Sequence, residues 1–387
     1  MKVLITTDWY KPAVNGVVTS VLNLKNELEM RGHDVKVLTL AQGGAEVGTE
    51  GNVTYLPSID VSRVYPDAIL RFPKYKKYIR HIIEWKPDVV HSQCEISTYK
   101  PARFIARACG APVIHTYHTV YEYYAQYLIP GNHLSHLLSH QMAKQFSKRT
   151  VNKFDHVITP SKKVEDLLRT YGITKPISVI PTGIEVERFA NIPEKSWIDA
   201  KKKELGIPED AMVLISIGRL AQEKNLSEIL GYMKNLAHDD IYFLVVGDGP
   251  YRPQMEEMIR NYGIEDYVVF TGKVNPAEVN NYYHLGDLFV NASISETQGL
   301  TYIEALSAGV PLLCRKDSCL DGIVENGING WQYKDELDFY FYLDEYRENA
   351  QLREAMKKHV KENRMRFSTG NFAEAVIKIY EELIELR

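Results

Sequence analysis

Two glutamates bracket a Gly-Leu-Thr segment in SETQGLTYIEALSAGVPLLC, residues 295–314: Glu296 ahead of it and Glu304 behind. An apolar helical pattern starts at Gly299, with Ile303, Ala305 and Leu306 available for burial. A helix start favours negative charge by itself, so capping would account for one carboxylate near Ser295 or Thr297. Capping accounts less well for two, one in the loop and one more than a turn inside the helix. Gly299, Leu300 and Thr301 would present helix-start N–H groups that lack intrahelical acceptors. Such donors suit a diphosphate. The carboxylates suit hydroxyls, one facing a sugar and the other a ribose, because an ionised carboxylate only accepts.

A second group of residues fits the same ligand. IGRLAQEKN, residues 217–225, leaves a strand and enters a helix, which puts Arg219 and Lys224 at a strand's carboxyl end. Two cations beside helix-start amides make a phosphate site; two solvated surface cations are the alternative. VVGDGP, residues 245–250, has two glycines at another strand-to-helix turn but lacks the third glycine of the dinucleotide fingerprint. A plain tight turn is its first reading and close approach to a ligand its second. Near the N-terminus, Asn15-Gly16 stands between a strand and a helix, where glycine admits a ligand to the helix start. His118, in HTYHTVYEYY, follows a strand and can donate or accept at neutral pH; an ordinary packed or exposed histidine is the alternative. There is no nucleophile elbow, no H-E-x-x-H and no D-x-D, so the sequence gives no support for a metal-bridged diphosphate. The four cysteines form no C-x-x-C, which predicts free thiols, no zinc site and a cytosolic setting.

The elements that must position these residues alternate along the chain. Strand patterns at 2–7, 34–40, 53–56, 88–91, 113–115, 156–159 and 177–180 are separated by helical ones, the first at 16–31. After residue 190 the alternation restarts, with strands at 212–217, 242–246, 267–270, 288–291 and 311–314. This predicts an α/β protein of two doubly wound, Rossmann-like domains facing a cleft at the carboxyl ends of their strands. The first would cover 1–188 and the second 189–365, with 366–387 as a terminal helix packing back on the first. The 387 residues suit two such cores. No apolar run is long enough to span a bilayer, and the short run at the N-terminus reads as a strand rather than a secretory signal. Net charge is −4, but residues 1–190 carry +7 and the remainder −11. A basic first half points to an anionic partner, nucleic acid or an anionic membrane surface.

The chain resembles the retaining glycosyltransferases of family 4, which have the GT-B fold. The resemblance rests on NGVVTSV, HTYHT, VITPS, VIPTGIEVERF, IGRLAQEKN, VVGDGP, FTGKV and, most specifically, ETQGLTYIEALSAGVP, all in the family's order. It implies a nucleotide-sugar on the second domain and an acceptor on the first. Arg219 and Lys224 would hold the diphosphate and stabilise the leaving group's charge. Glu304 would bind the ribose. Glu296, with the backbone from Gln298 through Gly299, Leu300 and Thr301, would bind donor-sugar hydroxyls and phosphate. Backbone groups near Lys273 and Val274 would read the base. Gly16 would admit the diphosphate and His118 would contact the transferred sugar. The family's first-loop Gly-Gly is Asn15-Gly16 here. No cofactor or metal is implied, and the configuration at the anomeric carbon would be retained.

Within the family, GVVTSVLNLKNEL and YHTVYEYYAQY are most similar to bacterial diacylglycerol glucosyltransferases. That implies a hexosyltransferase with UDP-glucose as donor and a lipid, 1,2-diacylglycerol, as acceptor. It also implies a peripheral position on the cytoplasmic face of the membrane, with no nucleic acid as partner. RFPKYKKYIRHIIEWK, residues 71–86, reads as a basic amphipathic helix: Tyr75, Tyr78, Ile79, Ile82 and Ile83 lie near one side, and Lys74, Lys76, Lys77, Arg80 and Lys86 occupy much of the rest. Such a helix suits an anionic leaflet; a core-packed helix with a solvated basic face is the alternative. The basic run 144–153 and the aromatic stretch 121–129 extend the membrane reading, the latter as an acyl-chain path. A family 4 enzyme with a polysaccharide or other acceptor and a different nucleotide sugar is the second possibility, and a binding module without turnover the third.

Overall fold

The computed structural model describes residues 1–13, 15–42, 45–60, 69–71, 74–120, 133–236 and 240–387. They form two compact units: Met1–Gly183 together with Thr369–Arg387, and Ile184–Ser368.

In the first unit the strands are β1 (Lys2–Thr6), β2 (Asp34–Leu40), β3 (Gly48–Glu50), β4 (Val53–Leu56), β5 (Ser58–Asp60), β6 (Ile69–Arg71), β7 (Val89–Ser92), β8 (Val113–Thr116), β9 (His156–Thr159) and β10 (Ile177–Val179). Eight of them form one sheet in the order β10-β9-β8-β7-β1-β2-β4-β3, and β5 pairs with β6 as a separate ribbon. Within the eight-stranded sheet all pairings are parallel except β3 with β4, and the β5–β6 ribbon is antiparallel. The helix Gly16–Met30 buries Val18, Val21, Leu24 and Leu28. These join one core with Phe372, Ala373 and Val376 of the terminal helix Thr369–Glu385. Thr369 Oγ1 donates to Glu27 at 2.5 Å, and Arg31 donates to the Gly370 carbonyl at 2.9 Å.

The second unit holds β11 (Met212–Ile217), β12 (Ile241–Val246), β13 (Val268–Gly272), β14 (Leu288–Asn291), β15 (Leu312–Arg315) and β16 (Gly330–Tyr333). The sheet is wholly parallel, in the order β13-β12-β11-β14-β15-β16. That is the 3-2-1-4-5-6 order of the Rossmann fold, and its ligand crevice lies where the order reverses, between β11 and β14. Strands such as β12, Ile-Tyr-Phe-Leu-Val-Val, are buried almost throughout because helices cover both faces.

The change of unit falls at Gly183/Ile184, a few residues ahead of the expected boundary. Val186 and Phe189 of the helix Val186–Ala190 already belong to the second core, and Ile184 bridges to Ser368. The expected helix over 71–86 is corrected. Among its described residues it is a 3-10 turn, Lys76–Tyr78, followed by a short helix, Arg80–Trp85. Phe72 and Pro73 lie outside the described residues. Ile79 and Ile82 are fully buried in the first unit's core, with Tyr75, Tyr78 and Ile83 packed against it. The apolar side therefore faces the protein. β16 has no counterpart in the sequence reading: Gly330 opens it with φ +154°, and a Cβ there would meet the Leu312 carbonyl oxygen at 2.3 Å.

Candidate active site

Both loops flanking the switch point of the second unit carry expected residues. Arg219 follows β11 and donates to Glu223 at 2.6 Å, remaining about half exposed (48%). Lys224 ends a 3-10 turn, Gln222–Lys224, and forms an ion pair with Glu296 from the loop after β14. The left-handed Asn225, φ +52°, then turns the chain into the helix Leu226–Leu236. The loops are tied together by Ser293 and Ser295, whose hydroxyls both donate to the Glu223 carbonyl at 3.4 Å. Asn225 Nδ2 adds a bond to the Ala292 carbonyl at 3.3 Å. The structure thus brings two cations and one of the paired carboxylates into one cluster.

The helix after β14 runs Leu300–Ser307 and buries Tyr302, Ile303, Ala305 and Leu306. Gly299 caps it at φ +72° with no side-chain hydrogen bond. A Cβ at Gly299 would lie 2.3 Å from the Tyr302 ring, so only glycine fits between that ring and the helix start. Gln298 is buried, and Leu300 and Thr301 form the first helical residues, whose N–H groups have no intrahelical partner. Glu304 is half-buried further along. Its Oε2 accepts from the buried Tyr283 hydroxyl at 2.6 Å, and its other oxygen has no hydrogen-bond partner among the described residues. Burial raises the Glu304 pKa, against the pull of the Tyr283 hydroxyl and Arg188. Lys273 is exposed and Val274 packs on the core; both follow β13, at the same edge of the sheet but two strands from β11.

The Gly-Asp-Gly turn after β12 packs closely against the backbone of the loop after β11. A Cβ at Gly247 would lie 2.0 Å from the Gly218 carbonyl oxygen, and one at Gly249 would lie 2.2 Å from that of Leu220. Leu220 N donates to the Asp248 carbonyl at 3.0 Å, and Tyr251 N to that of Leu220 at 3.1 Å. The two glycines let this turn clasp the backbone on both sides of Arg219.

In the first unit the order reverses between β1 and β7. Gly16 begins the helix after β1, and Asn15 caps it by accepting from Val18 N at 3.0 Å. His118 follows β8, is half-buried, and lies 2.6 Å from Gln93 Oε1 through Nε2. Burial, with the nearby His115, lowers its pKa to about 3. Sequence reasoning missed the residues around it. Asp8 is buried and accepts from Ser97 N (2.8 Å), Thr98 N (2.7 Å) and Thr98 Oγ1 (2.6 Å), pinning the loop after β7. Glu95 meets His115 at 2.8 Å. His91 binds Thr116 and Tyr380. The only cue was a run of polar residues directly after a buried strand; their partners lie up to 289 positions away.

Lys74, Lys76, Lys77 and Arg80 are all exposed on this unit. Lys76 sits 5.0 Å over the Phe104 ring, beside a cavity of about 330 Å³. Lys100, Arg103, Arg107 and Lys153 line it, and none forms an ion pair among the described residues. The stretch 121–129 lies outside the described residues. No helix among the described residues is long and apolar enough to cross a membrane.

Comparison with known proteins identifies this arrangement. The model described as Glycosyltransferase Family 4 matches residues 14–188, and that described as Glycosyl transferases group 1 matches 198–363. An alpha-monoglucosyldiacylglycerol synthase of Streptococcus pneumoniae is 34% identical over 87% of this chain and 76% of its own. One from Acholeplasma laidlawii is 30% identical over 100% and 98%. The chain belongs to glycosyltransferase family 4. Its fold is that of Anabaena HepE in complex with UDP and glucose, with a TM-score of 0.74 at 16% identity, over 99% of this chain and 100% of that one. The chain is a glycosyltransferase with the two Rossmann-like units of the GT-B fold.

Proposed function

We propose that this glycosyltransferase moves glucose from UDP-glucose to 1,2-diacylglycerol at an anionic membrane surface, giving α-monoglucosyl-diacylglycerol. The observation that carries the donor half is the cluster Arg219, Lys224 and Glu296 at the switch point, beside the helix start at Gly299, where no side chain caps the first N–H groups. The diphosphate takes the two cations and the N–H groups of Leu300 and Thr301. Negative charge grows on it as the glycosidic bond breaks, so donors fixed there favour the transition state over the ground state. Glu304 receives ribose hydroxyls on its free oxygen. Glu296 and the backbone at Gln298 hold sugar hydroxyls, and backbone groups near Lys273 and Val274 read the base. Gly16 approaches the phosphate and His118 the transferred sugar. No acidic side chain serves as nucleophile, and the configuration is retained. Transfer needs no metal: the cations do what a bound metal does in D-x-D enzymes, and chelator leaves the rate unchanged.

The acceptor half follows from the two relatives named as alpha-monoglucosyldiacylglycerol synthases, together with the exposed cations of the first unit. Lys74, Lys76, Lys77, Arg80 and the cation-lined cavity suit anionic headgroups on a cytoplasmic leaflet. Burial of Ile79 and Ile82 favours a second reading, an acceptor that is not membrane-embedded. The deciding experiment offers the purified protein several nucleotide sugars, with diacylglycerol in neutral or anionic vesicles and with soluble glycan acceptors. α-Linked glucolipid from UDP-glucose, made faster on anionic vesicles, is the expected result. Glycan product without lipid product would replace the acceptor; no nucleotide release with any pair would leave a binding module.

A further inference from the structure

The half-buried His118 is the end of a hydrogen-bonded chain that reaches the terminal helix, and nothing in the proposed chemistry uses the rest of that chain. His118 Nε2 lies 2.6 Å from Gln93 Oε1. Gln93 Nε2 lies 3.2 Å from His91 Nε2, which is also 2.7 Å from Thr116 Oγ1. His91 Nδ1 lies 2.6 Å from the Tyr380 hydroxyl. Gln93, His91, Thr116 and Tyr380 are each at most 4% exposed. We propose that Gln93, anchored by His91 and Tyr380, is a positioning residue that fixes which ring nitrogen of His118 carries its proton.

A primary amide accepts at one end and donates at the other, and a neutral imidazole has one nitrogen of each kind. With Gln93 Oε1 toward His118, the histidine must donate from Nε2, which leaves Nδ1 as a bare acceptor for a sugar hydroxyl. The amide nitrogen then donates to His91 Nε2, so the His91 proton is on Nδ1 and goes to the Tyr380 oxygen. Turning the amide over reverses both rings together. Any mixed assignment sets two donors or two acceptors face to face inside the protein, which buried groups do not tolerate. One amide therefore couples the two tautomers.

The surroundings keep both rings neutral. Burial lowers the His91 pKa well below the usual value and that of His118 to about 3. The titratable groups facing this pair are His115 from β8, held by Glu95 at 2.8 Å, and Tyr380 from the terminal helix. A charged His118 would donate from both nitrogens and lose its accepting face.

The catalytic consequence rests on the glycosyl-transfer reading; the tautomer coupling does not. The test uses full-length protein with ¹⁵N-labelled histidine and long-range ¹H–¹⁵N correlation, the rings assigned by single substitution. In the unaltered protein His118 stays neutral from pH 8 to 5, and its proton is on Nε2 when that of His91 is on Nδ1, or the reverse pair. A mixed pair, or a charged His118 at pH 6, overturns the proposal without any variant. Gln93→Leu and, separately, His91→Leu convert His118 to a mixture of tautomers; a single unchanged tautomer in both overturns it. Gln93→Glu raises the His118 pKa by roughly 2 units or more. In activity, Gln93→Leu lowers kcat on the order of 10-fold with the donor KM within about twofold, and the acid limb of the Gln93→Glu profile moves up with the NMR pKa. If the tautomers behave as stated but no nucleotide sugar is turned over, the functional reading fails and the positioning assignment stands.

Discussion

Glu304→Gln separates donor recognition from fold better than any other substitution at this site. One carboxylate oxygen accepts from Tyr283 at 2.6 Å, and the other has no hydrogen-bond partner among the described residues. The amide oxygen can keep the Tyr283 bond, while the free position loses its charge and gains a donor. A hydrogen bond to a charged group contributes about 1.5–3 kcal/mol, and about 1.36 kcal/mol is a factor of ten. If Glu304 holds the ribose, the variant weakens donor binding by about 10- to 150-fold. UDP is the informative probe, because it carries the ribose and diphosphate but no hexose. Calorimetric titration with UDP should reproduce the loss seen in the donor KM, while the urea midpoint moves little. Glu304→Ala adds the cost of leaving the buried Tyr283 hydroxyl without an acceptor, about 1–3 kcal/mol of stability. UDP affinity within twofold of the unaltered protein, at unchanged stability, would refute the ribose assignment and the frame built on it.

Four further outcomes follow from the same geometry. Lys224→Ala or Arg219→Ala lowers kcat by about 10²–10³-fold if the cation meets developing charge; a change confined to KM in steady-state kinetics would make it a ground-state contact only. Gly247→Ala puts a methyl 2.0 Å from the Gly218 carbonyl oxygen at φ +135°, so the clasp on Arg219 must shift and both the melting temperature and kcat fall. His91 and His118 have lowered pKa values in the folded protein, so the unfolded chain binds more protons below about pH 6.5. Their contribution is present above that pH and is lost as it falls, at up to about 1.4 kcal/mol per pH unit for each ring, while Asp8, raised by burial, acts in the opposite sense; urea midpoints at pH 7 and 5, with His91→Phe flattening the slope, check this. Lys76→Glu/Lys77→Glu weakens anionic-vesicle flotation by about 1 kcal/mol or more per site, an effect that high salt removes, with turnover of a detergent-dispersed acceptor unchanged.

What the sequence disclosed and what it hid follow one physical division. The alternation of β11, β12 and β14 with helices is a local pattern, and so is the glycine ahead of the helix Leu300–Ser307; both were legible. Arg219, Lys224 and Glu296 could be matched because each follows a strand end in a parallel sheet, and the fold puts all such ends on one edge. Residues 71–86 misled because periodicity reports an apolar side without saying what covers it. The cover is the first unit's own core, and Phe72-Pro73 precedes a stretch that holds only a 3-10 turn and a short helix. Gln93 and His91 were invisible because their meaning depends on Tyr380, nearly 290 positions away. The Gly-Asp-Gly turn was legible as a turn, but its partner, the backbone around Arg219, was not.

The state of the cations bears on how a donor would be received. Arg219 is engaged by Glu223 and Lys224 by Glu296, so neither cation of the phosphate cluster stands alone. A diphosphate brings more charge than a single carboxylate and competes for both. Each exchange trades one ion pair for another, so the net gain in affinity is smaller than two new phosphate contacts suggest. On the proposed reading of the site, the Lys224 exchange has a second effect: the donor's phosphate draws Lys224 away from the Glu296 oxygen it pairs with, and that oxygen is then offered to the sugar's hydroxyls. Phosphate and sugar recognition are then coupled through one ion pair. Glu296→Gln should tighten UDP, which has no glucosyl group to lose, while weakening UDP-glucose. The two affinities, measured by titration with the same preparations, must move in opposite directions. A variant that weakens both equally would leave the Lys224–Glu296 pair as a structural contact with no part in selecting the donor.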